Sequence, residues 1–174
     1  MDDEFLALDE TGLLCLLNQD DKTVSVRCDE VKVDTLVEVV IPATINFRDV
    51  DFTVNEIHIK GFARCEHLKK VIIPNTIDRL LRSIFEICER LEQVEIPASV
   101  KIFMPNLFYG CTNLKRIIFE NLVESNSNTE GFNLNEDVFR GCNKDVVLED
   151  KASGKEYRLN EIIKSKNHDR TERQ

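Results

Sequence analysis

Residues 62–74 read Phe-Ala-Arg-Cys-Glu-His-Leu-Lys-Lys-Val-Ile-Ile-Pro, and residues 85–97 read Phe-Glu-Ile-Cys-Glu-Arg-Leu-Glu-Gln-Val-Glu-Ile-Pro. Residues 108–120 repeat the frame as Phe-Tyr-Gly-Cys-Thr-Asn-Leu-Lys-Arg-Ile-Ile-Phe-Glu. Each copy starts 23 residues after the one before. Phe, Cys, Leu, a β-branched residue and a further apolar residue stay in phase throughout, and Ile77, Val100 and Val123 continue the series. A unit this short cannot bury its own apolar side, so neighbours must stack into one continuous core. The spacing of Leu68, Val71 and Ile73, and of their counterparts, predicts a short parallel strand in each copy. Pro74 and Pro97 end the first two strands, because proline cannot donate to the ladder. Successive strands should sit ~4.8 Å apart.

The period runs on in both directions. Leu36, Val39, Ile41, Pro42 and Ile45 lead Leu68, Val71, Ile73, Pro74 and Ile77 by 32 residues, one unit plus nine. The extra residues are expected to form a loop around Phe47 to Phe52, after which Val54 and Ile57 lead Ile77 and Leu80 by one period. Phe139 and Cys142 follow Phe108 and Cys111 by 31 residues. The eight extra residues fall in the polar stretch Glu124 to Gly131, an expected exposed loop.

A period of 23 lies within the range of leucine-rich repeats. The fold class is therefore a mainly β repeat solenoid, with about five coils over residues 36–149. Thr11–Leu17 and Thr23–Cys28 read as a hairpin around Asn18–Lys22, which makes residues 1–35 a capping region over the first open sheet edge. At the other end Asp145 stands where Leu114 would be, and only Leu148 keeps phase. Gly154 breaks the chain, and Tyr157–Ile163 is expected to be a short closing helix. With a disordered tail at Ser165–Gln174, residues 150–174 form the C-terminal cap.

Composition fits a folded domain. The 174 residues carry 32 acidic and 23 basic side chains, a formal charge of −9. That balance opposes non-specific binding to nucleic acid or anionic lipid. No apolar run approaches the ~20 residues that span a bilayer. Met1-Asp2-Asp3-Glu4-Phe5 lacks the basic start and apolar stretch of a secretory signal, so the expectation is a protein that stays in the cytosol or leaves by another route, unless a leader has been removed.

Residues 62–74 and 108–119 resemble the BspA-like, treponemal-type leucine-rich repeat. Val40-Ile41-Pro42-Ala43-Thr44-Ile45 through Phe52-Thr53-Val54-Asn55-Glu56-Ile57 resembles that family's usual first repeat. The resemblance extends over residues 11–149. Two departures mark a short, terminating array: Glu120 replaces the proline of the third coil, and the last coil carries an insertion and lacks its leucine. The resemblance implies a curved solenoid that binds other macromolecules. It also implies a cell-surface or secreted setting, since relatives include surface proteins of oral bacteria and proteins of parasitic protists, several of them adhesins or candidate adhesins.

Chemistry-bearing residues are sparse. Cys65, Cys88, Cys111 and Cys142 share one repeat position and should form an inward column of small hydrophobes. No Cys-x-x-Cys occurs, so zinc lacks its usual spacing. A turn at Asp21-Lys22 would set Cys15 opposite Cys28 and allow a cross-strand disulfide, which a reducing cytosol opposes. Repeat phase turns His67 outward, away from Cys65, as a solvated turn histidine. Gly110 and Gly141 read as turn glycines. Asp2–Glu4 and Asp20-Asp21 lack a calcium-loop pattern and read as solvated charge. Phosphate loops and nucleophile elbows are absent, and no cofactor, metal or catalytic residue is expected.

The informative surface is the open strand face. Its outward residues should be Val37, Glu38 and Val40; Lys69, Lys70 and Ile72; Glu92, Gln93 and Glu95; and Lys115, Arg116 and Ile118. The last three sets form the candidate partner-binding site. Charge alternates from row to row, with β-branched groups between. That mixture suits a protein partner. It equally suits Lys–Glu pairing that only stabilises the sheet. Tyr109 and the Glu124–Gly131 insert are further candidates. Residues 1–40 hold 11 acidic and 3 basic side chains, whereas residues 151–174 hold 4 and 7. The asymmetry would suit head-to-tail self-association, or simply two solvated ends. The leading reading is a non-catalytic protein-interaction module, an adhesin in one setting and an intracellular scaffold in the other. An enzyme is the remote alternative.

Overall fold

The computed structural model describes residues 5–8, 11–29, 33–122, 134 and 136–161. Val123, the whole 124–131 insert, the acidic start at 2–4 and the 165–174 tail lie outside the described residues. The main sheet takes one strand from each turn of the chain: β4 (Glu38–Val40), β7 (Lys70–Ile72), β9 (Gln93–Ile96), β11 (Arg116–Phe119) and β12 (Val147–Asp150). All five run parallel. Val39, Val71, Val94, Ile117 and Leu148 lie side by side, as the 32-, 23-, 23- and 31-residue steps require. They form the floor of the core, with Leu68, Leu91 and Leu114 fully buried one turn earlier. Pro74 and Pro97 follow β7 and β9 without an N–H to give. Glu120 at the same place donates its N–H to Ile96 O, and its carboxylate accepts from Ala98 N–H at 3.0 Å.

A second, shorter ladder follows β7 and β9. β8 (Arg79–Leu80) pairs in parallel with β10 (Ile102–Phe103). Thr76 Oγ1 donates to Val54 O and Ser99 Oγ to Ile77 O, which places Val54, Ile77 and Val100 in one inward row.

The third side of each coil is a tight turn carrying the Phe and Cys positions. Phe62, Phe85, Phe108 and Phe139 stack with ring centroids 5.7, 5.5 and 5.6 Å apart. Each such pair adds ~0.5–1.5 kcal/mol beyond its burial. Beside them Cys88, Cys111 and Cys142 donate their thiol hydrogens to the carbonyls of Phe62, Phe85 and Phe108 in the coil before. The residue ahead of each cysteine has a left-handed backbone: φ is 61° at Arg64, 59° at Ile87, 73° at Gly110 and 77° at Gly141. Only the last two use the residue that adopts this conformation at no steric cost. The β-branched Ile87 lies against Gly110, where an added Cβ would meet its side chain at 3.5 Å.

The N-terminal sheet departs from expectation in three ways. Its order is β1 (Phe5–Leu8), β2 (Leu13–Asn18), β3 (Thr23–Cys28), β6 (Val50–Ile57) and β5 (Thr44–Phe47). The hairpin β2–β3 exists, but β3 runs parallel to β6, so it covers the second ladder and leaves β4 as the main sheet's outer strand. The hairpin register pairs Cys15 with Val26 and Leu13 with Cys28, so Cys15 and Cys28 are not opposite and both thiols are free. The cause is a wider turn: Asn18 pairs with Thr23, and the Asn18 side chain holds the N–H groups of Asp20 and Asp21. The nine-residue insertion is the tip of the β5–β6 hairpin, turning at Arg48 and Asp49 with φ of 51° and 61°.

At the C-terminal end a strand takes the first two residues of the expected 157–163 helix, and helix begins at 159. β13 (Lys155–Arg158) folds back antiparallel to β12, with Tyr157 opposite Leu148. Only residues 159–161 are helical, and 162 and 163 lie outside the described residues. The turn is fixed by Asp150, which occupies the inward site held by Ile96 and Phe119 in earlier strands. Its carboxylate is buried and accepts from Leu122 N–H, Ala152 N–H and Ser153 Oγ. Burial alone would raise its pKa; these donors outweigh burial and hold it below the usual carboxylate range.

Candidate functional site

Lys69, Glu92 and Lys115 stand immediately before β7, β9 and β11 and form one row, knit by N–H bonds from Glu92 to Lys69 O and from Lys115 to Glu92 O. Lys70, Gln93 and Arg116 form the next row, in direct register, and Ile72, Glu95 and Ile118 the row beyond. Lys70, Ile72, Gln93, Glu95, Arg116 and Ile118 therefore share the outward face of three adjacent strands, because alternate residues of a strand face opposite ways, and Lys69, Glu92 and Lys115 line its edge just ahead of those strands.

Ion pairs cross the strands. Lys115 Nζ lies 2.7 Å from Glu92 Oε2, and Lys70 Nζ lies 2.9 Å from Glu95 Oε1. Arg116 bridges Glu149 on β12 and, at 2.8 Å, Glu156 on β13. Lys115 beside Glu92 holds that carboxyl below its usual range, and Lys70, joined by Lys151, does the same for Glu95. Solvent screens such pairs, so they add little to stability. Gln93 donates to Glu95 at 3.2 Å, while Lys69 stays exposed with no ion pair among the described residues.

One candidate is misplaced by sequence reasoning. Ile118 was expected to be exposed, yet only 9% of its surface is accessible. Lys151, just beyond β12, reaches Glu95 on β9 at 3.0 Å and so crosses over β11, where Ile118 sits between Glu95 and Glu149. Alternation read along one strand cannot reveal a cover supplied from two strands away. Ile72 is half-buried, while Val40 and Val37 remain 65% and 44% exposed. The apolar part of the face is therefore displaced toward β4, next to Lys69.

The thiol column is buried, with Cys142 half-buried at its end. Cys28 joins it beside Cys65, an addition the sequence spacing did not reveal, and donates its thiol hydrogen to Asp29 O at 3.4 Å. The Cys65 thiol beside it, then burial, raises the Cys28 pKa well above the thiol range. Burial pushes Cys142 up to about 12 and Cys15 to about 11. Thiols so protonated are poor nucleophiles. His67 is half-buried rather than solvated, its Nδ1 enclosed between coils. Among the described residues no three His, Cys, Asp or Glu side chains converge on a metal-sized site.

These features define a class: a stack of short coils with one strand per coil in a parallel sheet, a Phe–Cys turn column and an outward face of cross-strand charge pairs, which is a leucine-rich-repeat scaffold. The profile of the BspA type leucine rich repeat region matches residues 43–144 in six copies. The chain belongs to the BspA-type leucine-rich-repeat family. No curated protein matches it. Among solved structures, a leucine-rich repeat protein from Bacteroides ovatus superposes with a TM-score of 0.56 at 22% identity, covering 79% of this chain and 35% of that one. The chain thus spans about a third of that relative. A leucine-rich repeat protein from Treponema pallidum matches with a TM-score of 0.40 at 16% identity, covering 85% and 82%. A leucine rich cell surface protein from Faecalibacterium prausnitzii gives 0.40 at 18%, covering 76% and 26%.

Proposed function

We propose that the protein is a non-catalytic binding module, and that the outward face of β4, β7, β9 and β11 docks another protein. One observation carries the reading: exposed Val37 and Val40 lie beside exposed Lys69 and half-buried Ile72, on strands whose other face is locked into the core. A rigid sheet loses little conformational freedom on binding, and an apolar patch rimmed by charge is the anatomy of a protein interface. Five coils closed by the β2–β3 hairpin and the β12–β13 hairpin would hold that face in one shape. The candidate residues Lys69, Lys70, Ile72, Glu92, Gln93, Glu95, Lys115 and Arg116 supply the charged side of the surface.

The setting divides into two readings. The resemblance to the BspA-type family supports an adhesin. The six free cysteines support a reducing compartment and an intracellular scaffold. The test is photo-crosslinking in the cells that make the protein. A crosslinking residue at Gln93, on the face, should give a discrete protein adduct; one at Glu89, in the turn, should give none. Adducts from position 89 alone would reject the face. Whether the adduct forms with an extracellular or cytosolic protein decides the setting.

A further inference from the structure

We infer that the two outer strands of the main sheet, β4 and β13, are complementary edges through which copies of this chain join head to tail. Among the described residues the sheet ends at β4 on one side and β13 on the other. On β4 the odd-numbered residues bond to β7: Val37 O accepts from Lys70, and Ile41 N–H donates to Ile72 O. The N–H and C=O groups of Glu38 and Val40 therefore point away from the sheet. On β13 Leu159 N–H donates to Val146 O, so Glu156 and Arg158 present the outward groups. Arg158 N–H is held by the Glu161 carboxylate at 3.2 Å, a cap that a pairing strand would displace.

Stacking a second copy in the same orientation brings its β4 antiparallel to β13, because β13 runs against the five parallel strands. Three separate conditions then select one register. Outward backbone groups must meet, so Glu38 and Val40 must face Arg158 and Glu156. The buried layer must continue, which sets Val39 opposite Tyr157, the core-side residue that packs against Leu148. Charge must match, which sets Glu38 opposite Arg158. The pairing Glu38–Arg158, Val39–Tyr157, Val40–Glu156 meets all three. It extends the row Glu38, Lys70, Gln93, Arg116, Val147, Arg158 from one copy to the next. The contact also pairs the backbone of an otherwise unprotected edge. The acidic excess of residues 1–40 and the basic excess of residues 151–174 favour the same orientation. Because the joined surfaces differ, the contact is heterologous: it builds a ring if the rotation between copies closes and an open filament if it does not, in either case beyond a dimer.

The test is sedimentation velocity of the full chain over a wide concentration range, alone and with Glu38→Arg, Arg158→Glu, and the two combined. The expected result is a mass that rises with concentration beyond a dimer. Each single reversal should weaken association by roughly two- to thirty-fold through like charges set opposite one another, and the combined reversal should restore it. Val40→Pro, which removes an outward N–H and leaves the β7 ladder intact, should abolish association while the thermal midpoint holds. A monomer at every concentration, growth that stops at a dimer, or a combined reversal that fails to restore association would overturn the inference.

Discussion

The middle coils and the closing coil share one backbone frame and fill it in opposite ways. At the inward site that ends each strand, β9 and β11 place Ile96 and Phe119, whereas β12 places Asp150. The hydrocarbons bury area and leave the strand parallel to its neighbours. The carboxylate instead gathers the N–H groups of Leu122 and Ala152 and the Ser153 hydroxyl, and the chain turns back as β13. Continuation of a repeat array is thus a matter of apolar burial, and its ending is a matter of satisfying backbone donors that no further coil will accept.

The largest way to break this contrast is to empty the middle. Phe85 is fully buried with a ring stacked on each side. Phe85→Ala should cost about 3–5 kcal/mol in denaturant unfolding, and more than Phe139→Ala, whose ring closes the stack. Equal losses would mean that the coils do not act as one core. At the closing coil, Asp150→Asn should cost about 1–3 kcal/mol at neutral pH, because a buried acceptor shared by three donors is weakened. The folded-state pKa of Asp150 lies below its unfolded value, so its contribution is present above about pH 4 and is lost as pH falls through that range. Stability measured between pH 6 and pH 3 should therefore drop more steeply in the native chain than in Asp150→Asn. A parallel drop would show that Asp150 does not hold the turn. A smaller effect separates the turns from one another. Gly110→Val should cost about 1–2 kcal/mol, because its φ of 73° strains a β-branched residue. An unchanged midpoint would show that the turn relaxes.

The repeat frame was legible because phase is preserved by burial: a residue that slips out of step leaves the core. Strand positions, register steps and the Phe and Cys columns all followed from that constraint. The ends were less legible because polar bonds decide them, and such bonds leave no period. The β2–β3 register depends on the Asn18 side chain, and β13 delays the expected helix to residue 159 because of Asp150 and the tight turn after it. At the candidate site the outward rows could be read from alternation. The cover over Ile118 could not, because Lys151 arrives from another coil. Nor could the sequence say which charges are engaged, since Lys69 and Lys70 are neighbours and only Lys70 finds a carboxylate.

The strand face is the proposed binding surface. Its most direct measurement is the affinity of the crosslinked partner for the native chain and for a Lys69→Glu, Lys115→Glu variant. Both side chains are exposed, so unfolding stability should move by no more than about 1 kcal/mol. The account expects affinity to fall at least roughly tenfold, the size of about 1.4 kcal/mol lost at the interface. Unchanged affinity at unchanged stability would contradict it.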